Sequence, residues 1–370
     1  MSIRKRKGEH VDIVVNKDVS FKTKTTGFEC IEFVHRGATR LKIDEIDIST
    51  TFLEKHFKAP LLIGCMTGGY EDAERINRGL ARIAQKLGIG MCVGSQRAAL
   101  NHPELAYTFS VVREEAPDIF VMGNLGAAQL KEYGMSGIRK AIEMIKADAI
   151  AIHFNPVQEA VQIEGTPDFS EWFNTLSDVS KDVGIPIIAK EIGFGFSYED
   201  AVLLKKVGVS GIEIDGAGGT SWAAVEYYRA ETANDKQKME LAKLFWDWGI
   251  PTAASLCEVL SHVDLPVIAG GGIKNGIEVA KALSLGASLV AIARPILKEL
   301  IQGGIENAAD LINKYILELR TTMFLVEAKN ILQLQRKPLI IRDWLKTWLE
   351  SRGINTMRWS SRSDLNEQIE

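Results

Sequence analysis

From Leu61 onward, short runs of apolar and β-branched residues recur, and each stops at a glycine or polar cluster before an amphipathic stretch begins. The runs are LLIGCMTGG (61–69), GIGMCVGSQ (88–96), IFVMGNLG (119–126), AIAIHFNPVQE (149–159), PIIAKEIG (186–193), GIEIDGAGG (211–219), PVIAGGGI (266–273) and LVAIARP (289–295). Within them apolar residues are nearly continuous rather than alternating, the pattern of parallel strands covered on both faces. The stretches between carry helical periodicity, as where Ile76, Leu80, Ile83 and Leu87 recur at spacings of three and four. Eight βα units in roughly 240 residues predict a single (β/α)8 TIM barrel of α/β class, with its chemistry at the C-terminal strand ends. An open doubly wound sheet is the alternative. There, ligands gather at one switch point, whereas here every strand end carries polar residues.

Residues 1–60 read as a polar N-terminal arm completing the active site, with a strand expected from Phe28 to Val34. The barrel spans 61–304. Residues 305–370 read as C-terminal helices and a loose polar tail belonging to the same domain. The longest inter-strand segment, Thr220 to Leu265, holds Tyr227, Tyr228, Trp246 and Trp248 and exceeds what one crossover helix needs, so a lid or subunit contact is expected there.

With 46% hydrophobic residues and a net charge of −4, the chain is globular and has no global positive field to draw nucleic acid or an anionic membrane surface. No stretch approaches the roughly 20 apolar residues of a membrane span. Cys30, Cys65, Cys92 and Cys257 lie far apart without a CxxC pair, which reads as reduced thiols in a cytoplasmic protein.

The most specific ligand signal is the pair AGGGI (269–273) and AIARP (291–295). Loops after the last two strands of such barrels often hold a phosphate, and Gly271, Gly272, Ile273, Ala293 and Arg294 would form the cup. Plain tight turns are the alternative. MTGG (66–69), SQR (95–97) and GNLG (123–126) present small and amide groups suited to the edge of a flat heterocycle. Lys190 stands in an apolar strand, either paired with Asp215 or Glu213, or functional beside a negatively charged ring. HFNPVQE gathers His153, Asn155, Gln158 and Glu159 over the barrel mouth. Glu159 suits Mg²⁺, which takes one or two carboxylates plus phosphate oxygens; it equally suits a helix N-terminus. In RKRKGEH (4–10), Arg6, Lys7 and His10 would pair, with Arg97, with a diphosphate, or else form a solvated tail.

Together RKGEH, MTGG, GSQR, GNLG, HFNPVQE, IIAKEIG, GAGGTSW, GGGI and ARP resemble, in order and spacing over nearly the whole chain, the type 2 isopentenyl-diphosphate isomerases. The resemblance implies conversion of isopentenyl diphosphate to dimethylallyl diphosphate in isoprenoid biosynthesis. It also implies FMN active in its reduced form, NAD(P)H as reductant, Mg²⁺, and a homo-oligomer, tetramer or octamer. Carried over by position, Met66, Thr67, Gly68, Ser95, Asn124, Lys190 and Thr220 match FMN contacts, with Cys65 beside them. The phosphate-cup residues Gly271, Gly272, Ile273, Ala293 and Arg294 complete that set. Arg6, Lys7, His10, Ser95, Gln96, Arg97, His153, Asn155 and Gln158 match substrate contacts, and Glu159 the metal ligand. Gln158, His153 and Lys190 are the catalytic candidates, with the reduced ring giving and removing protons through N5 and Gln158 orienting it. In ARP the family often has a small or apolar residue before the proline, which leaves open whether Arg294 would contribute its side chain or its backbone. Two rivals stand beside this. An FMN-dependent 2-hydroxy acid oxidase shares the barrel but needs a His base near the late strands, where this chain has only His262, in a predicted helix. A non-catalytic flavin-binding protein would make HFNPVQE ornamental.

Overall fold

The computed structural model describes residues 3–363. All eight runs are strands: β1 (Leu61–Ile63), β2 (Gly90–Cys92), β3 (Val121–Gly126), β4 (Ala149–His153), β5 (Ile187–Lys190), β6 (Gly211–Glu213), β7 (Val267–Ala269) and β8 (Leu289–Ile292). They pair in sequence order and in parallel, and β8 closes on β1 with Val290 opposite Leu61, so the sheet is a closed TIM barrel. Their near-continuous apolar runs are explained by two cores. Leu62, Cys92, Met122, Ala151 and Ile188 fill the inside, while a larger cluster lies between barrel and helices.

A two-stranded hairpin, Thr50–Phe52 with Lys55–Phe57, plugs the N-terminal end. Phe52 and Phe57 join the inner cluster, with Phe52 edge-on to Phe120 at 5.7 Å, and the Phe57 ring lies against Gly90 at the start of β2.

The arm departs from expectation at both ends. It begins with helix α1 (Ile3–Asn16), which buries Ile13, Val14 and Val15. The strand expected at Phe28 to Val34 narrows to Ile31–Phe33 and pairs antiparallel with Leu339–Ile341. The second partner lies where helices alone were expected, since LII after Pro338 is too short to show a period. Helix α2 (Ala73–Leu87) turns Ile76, Leu80 and Ile83 inward as predicted. Beyond it lie α3 (Pro156–Val161) and, within Thr220 to Leu265, α4 (Trp222–Thr232), α5 (Lys236–Leu244) and α6 (Thr252–His262). After β8 comes α7 (Arg294–Leu325), kinked at Gly304. The tail from Asp364 lies outside the described residues. Among the described residues no helix is long and apolar enough to cross a membrane.

One expectation is overturned. Cys65 and Cys92 form a disulfide, leaving Cys30 and Cys257 as free thiols. Parallel pairing sets Ile63 beside Met91, so the residues that follow them meet at the strand tips, across a sequence separation of 27.

Candidate active site

The C-terminal strand ends surround a cavity of about 530 Å³, within the range of small-molecule sites, and α1 supplies one of its walls. At one end, the loop after β7 is pressed against the loop after β6. Gly272 has φ +74°, and a Cβ there would stand 2.6 Å from the amide nitrogen of Gly219. Only glycine accepts both constraints. Beside this loop α7 begins at Arg294 with Pro295 in its first turn, so the positive end of its dipole lies at the cavity. The Arg294 guanidinium is committed elsewhere, donating to the carbonyls of Val14 (3.0 Å) and Lys17 (3.1 Å) and to Ser20 Oγ (3.1 Å). It thereby anchors the end of α1.

The floor carries Lys190, the last residue of β5. Its ammonium donates to Glu213 Oε1 at 2.7 Å and to Asp215 while also lining the cavity, so the ion pair and the cavity position coexist. Burial pulls the Lys190 pKa down, but the two carboxylates outweigh it and hold the group charged, well above its usual range. Burial, aided by Asp215, raises the Glu213 carboxyl despite Lys190. Asp215 sits at φ +25°, and a side chain at Gly270 would overlap its Oδ1. Next to Lys190, His153 bonds through Nδ1 to Asn124 Oδ1 at 2.7 Å. Burial, with Lys7 and Lys190 adding to it, pushes His153 down to about 3, so the ring is neutral and Nδ1 is the donor.

The tip of β4 and α3 hold a chain of amides. Asn155 Nδ2 donates to Gln158 Oε1 (3.0 Å) and Glu159 Oε1 (3.2 Å), and Gln158 Nε2 donates to Glu226 Oε1 (3.0 Å). Glu159 Oε2 accepts from Gln162 Nε2 (2.6 Å) and from the Thr166 amide (3.0 Å). Glu159 thus has the helix N-terminal position considered above and lines the cavity as well. Among the described residues there is no cluster of three or more His, Cys, Asp or Glu able to hold a metal.

The wall from α1 brings Arg6 and Lys7 into the cavity with Arg97. Burial, then Arg6 and Arg97, pull Lys7 down to about 7; burial and Arg97 likewise lower Arg6. The Nε of Arg97 and the Oδ1 of Asn155 are buried without a hydrogen-bond partner among the described residues. Buried cations that depress one another and unpaired polar atoms on one cavity suit an anionic, hydrogen-bonding ligand.

Two expected residues stand behind the wall rather than on it. Gln96 is fully buried, donating to the Ala141 carbonyl (2.8 Å) and accepting from the Asn124 amide (2.9 Å), and so braces β3. Gly68, at φ +154°, is covered by the Phe109 ring, which would overlap any Cβ. Cys65, Met66, Thr67, Ser95, Thr220, Ile273 and Ala293 line the cavity as expected, as does His10.

Sequence reading missed the clamp behind His10. His10 Nε2 lies 3.0 Å from Glu226 Oε1 and its ring stands edge-on to Trp222. Arg229 reaches Glu226 (2.7 Å), Glu164 (2.9 Å) and Glu9 (3.1 Å), joining α1, α4 and the segment after α3. Burial lowers the His10 pKa, while His10 and then Arg229 hold the Glu226 carboxyl down against its own burial. The Glu226 to Arg229 spacing of three was the only local sign of this clamp. The segment from Ser20 to Thr25 also lines the cavity and carried no motif.

The chain matches the model of the FMN-dependent dehydrogenase family over residues 153–341. It is 45% identical over 351 residues to the isopentenyl-diphosphate delta-isomerase of Methanosarcina mazei, covering 95% of each chain. The chain belongs to the isopentenyl-diphosphate delta-isomerase family. The corresponding isomerase of Methanothermobacter thermautotrophicus is 45% identical over 361 residues, 98% of this chain and all of that one. The FMN-dependent match places this family member in the type 2 branch that its motifs resemble. In fold it is similar to an active chimera of (S)-mandelate dehydrogenase, with a TM-score of 0.65, 16% identity and coverage of 92% and 97%. A mandelate oxidase with a monooxide FMN adduct superposes with a TM-score of 0.63 at 16% identity, covering 90% and 95%. At that identity the likeness concerns the fold alone.

Proposed function

We propose that this protein isomerises isopentenyl diphosphate to dimethylallyl diphosphate, with reduced FMN and Mg²⁺ bound in the cavity and NAD(P)H supplying the reduction. The observation that carries the reading is one cavity lined by two anion-seeking groups: the glycine loop with the α7 terminus, and the cations Arg6, Lys7 and Arg97. The first would take the FMN phosphate and the second the substrate diphosphate, with Lys190 and His153 lining the same cavity.

FMN would supply a flat proton-carrying ring in its reduced form. The chain's part is to bind, orient and exclude water. Lys190 would offset negative charge on the ring. The neutral His153, its Nδ1 committed to Asn124, would present Nε2 as an acceptor. Gln158, held by Asn155 and Glu226, would orient the alkene end, where a developing positive charge demands a dry, fixed surround. Glu159 would hold Mg²⁺ through one carboxylate, the diphosphate and water completing the shell. The oxidase alternative is disfavoured by His262, which ends α6 stacked on Tyr198 at 4.0 Å and does not line the cavity.

Proton NMR of isopentenyl diphosphate with the protein, FMN, NADPH and Mg²⁺ tests the reading. Dimethylallyl diphosphate signals should appear only when the flavin is reduced. Oxygen uptake with lactate or glycolate and no isomerisation would replace it with the oxidase.

A further inference from the structure

The cavity floor carries a covalent bond that no step above uses. Cys65, just after β1, lines the cavity, while Cys92, the last residue of β2, is 1% exposed among the inner cluster with Leu62 and Met122. Their sulfurs are bonded. Cys30 and Cys257 are buried, with thiols pushed upward by burial, and are poor nucleophiles.

We propose that Cys65–Cys92 is a thiol–disulfide exchange site approached through the cavity, so that the cavity's occupant governs its redox state. A small dithiol attacks Cys65 Sγ as its thiolate, because Cys92 is walled in. The S–S bond breaks, Cys92 leaves as thiolate and takes a proton, and the reagent's second thiol resolves the mixed disulfide on Cys65. Two electrons and two protons pass to the protein, and the reagent departs as a cyclic disulfide.

The two states differ in shape. Bonded sulfurs stand about 2 Å apart, whereas unbonded heavy atoms need roughly 3.5 Å or more. Cys92 cannot retreat into a close-packed interior, so on reduction Cys65 moves toward the cavity, alongside Met66 and Thr67. The dithiol form therefore has a shallower floor and binds a flat ligand more weakly. By linkage, a bound ligand favours the disulfide by the same factor.

The coupling to ligand rests on the flavin reading; the exchange site itself does not. Protein purified without reductant, then denatured and alkylated with iodoacetamide, should carry two adducts by mass spectrometry, and four after dithiothreitol. Cys92→Ala should carry three in both cases. In the native protein, saturating FMN should slow thiol release by dithiothreitol at least tenfold, and the dithiol form should bind FMN several-fold more weakly by fluorescence quenching. Four adducts without reductant would overturn the proposal, as would equal release rates with FMN demonstrably bound. If neither form quenches flavin, the flavin reading falls instead. The exchange site is then judged by whether dithiothreitol outpaces a thioredoxin-class protein dithiol, as a recessed sulfur requires; equal rates would overturn it.

Discussion

Lys7 on α1 donates from Nζ to the Ser95 carbonyl at 3.0 Å, fastening the arm to the loop after β2 where Arg6 and Arg97 converge. Burial and those two cations hold its pKa at about 7. A diphosphate raises that value again, so its binding takes up a proton above pH 7. Affinity is then full below pH 7 and falls as pH rises, by up to about tenfold per unit. Calorimetry of inorganic diphosphate at pH 8, in buffers of different ionisation heat, should show the uptake, and Lys7→Met should abolish it.

Glu226 should be a stability hub. Its side chain is fully buried against Arg229, so Glu226→Ala leaves a buried cation short of a partner and should cost about 3 kcal/mol in urea unfolding. Glu226→Gln keeps an acceptor and should cost less.

The same residue sets an acid limit. Burial alone would raise its carboxyl, but its partners hold it at about 2 against an ordinary 4.5. A depressed carboxylate stabilises the fold above the unfolded value, and that contribution is lost as pH falls from 4.5 toward 2. Acid unfolding of Glu226→Gln should therefore be shallower across that window, followed by circular dichroism.

Glu159→Gln should weaken the Mg²⁺ dependence and diphosphate affinity while leaving the spectrum of bound flavin intact, since the carboxylate is bonded to Asn155 and Gln162 and not to the glycine loop. Loss of flavin would mean that the residue supports the ring instead.

Gly272→Ala should act in the opposite sense, on the cofactor end. With a positive φ and a Cβ 2.6 Å from Gly219, it should cost about 1–3 kcal/mol and lower flavin content, measured by absorbance after gel filtration.

The barrel was legible because each strand announced itself locally: an apolar run ending in polar tips shows in a few consecutive residues. For the same reason the tips of β4, β5 and β7 placed Asn155, Lys190 and Gly272 on the cavity. What escaped was non-local. The charged stretch Arg4 to Glu9 with Gly8 inside hid α1, whose helix is held by Glu226, Arg229 and Arg294 far along the chain. Ile31–Phe33 and Leu339–Ile341 pair across the length of the protein, and Cys65 meets Cys92 only because β1 and β2 are neighbours. Gln96 misled in another way: an amide beside a loop arginine looks like a ligand group, and only its turn inward toward Ala141 shows that it is a brace.

The hairpin of Phe52 and Phe57 gives the barrel the form of a flask, stoppered at its base and, among the described residues, open at the C-terminal strand ends. Reactant and product, isomers of identical charge, must then use one doorway in turn. Departure has to precede the next arrival, and any cation that draws one in would also detain the other.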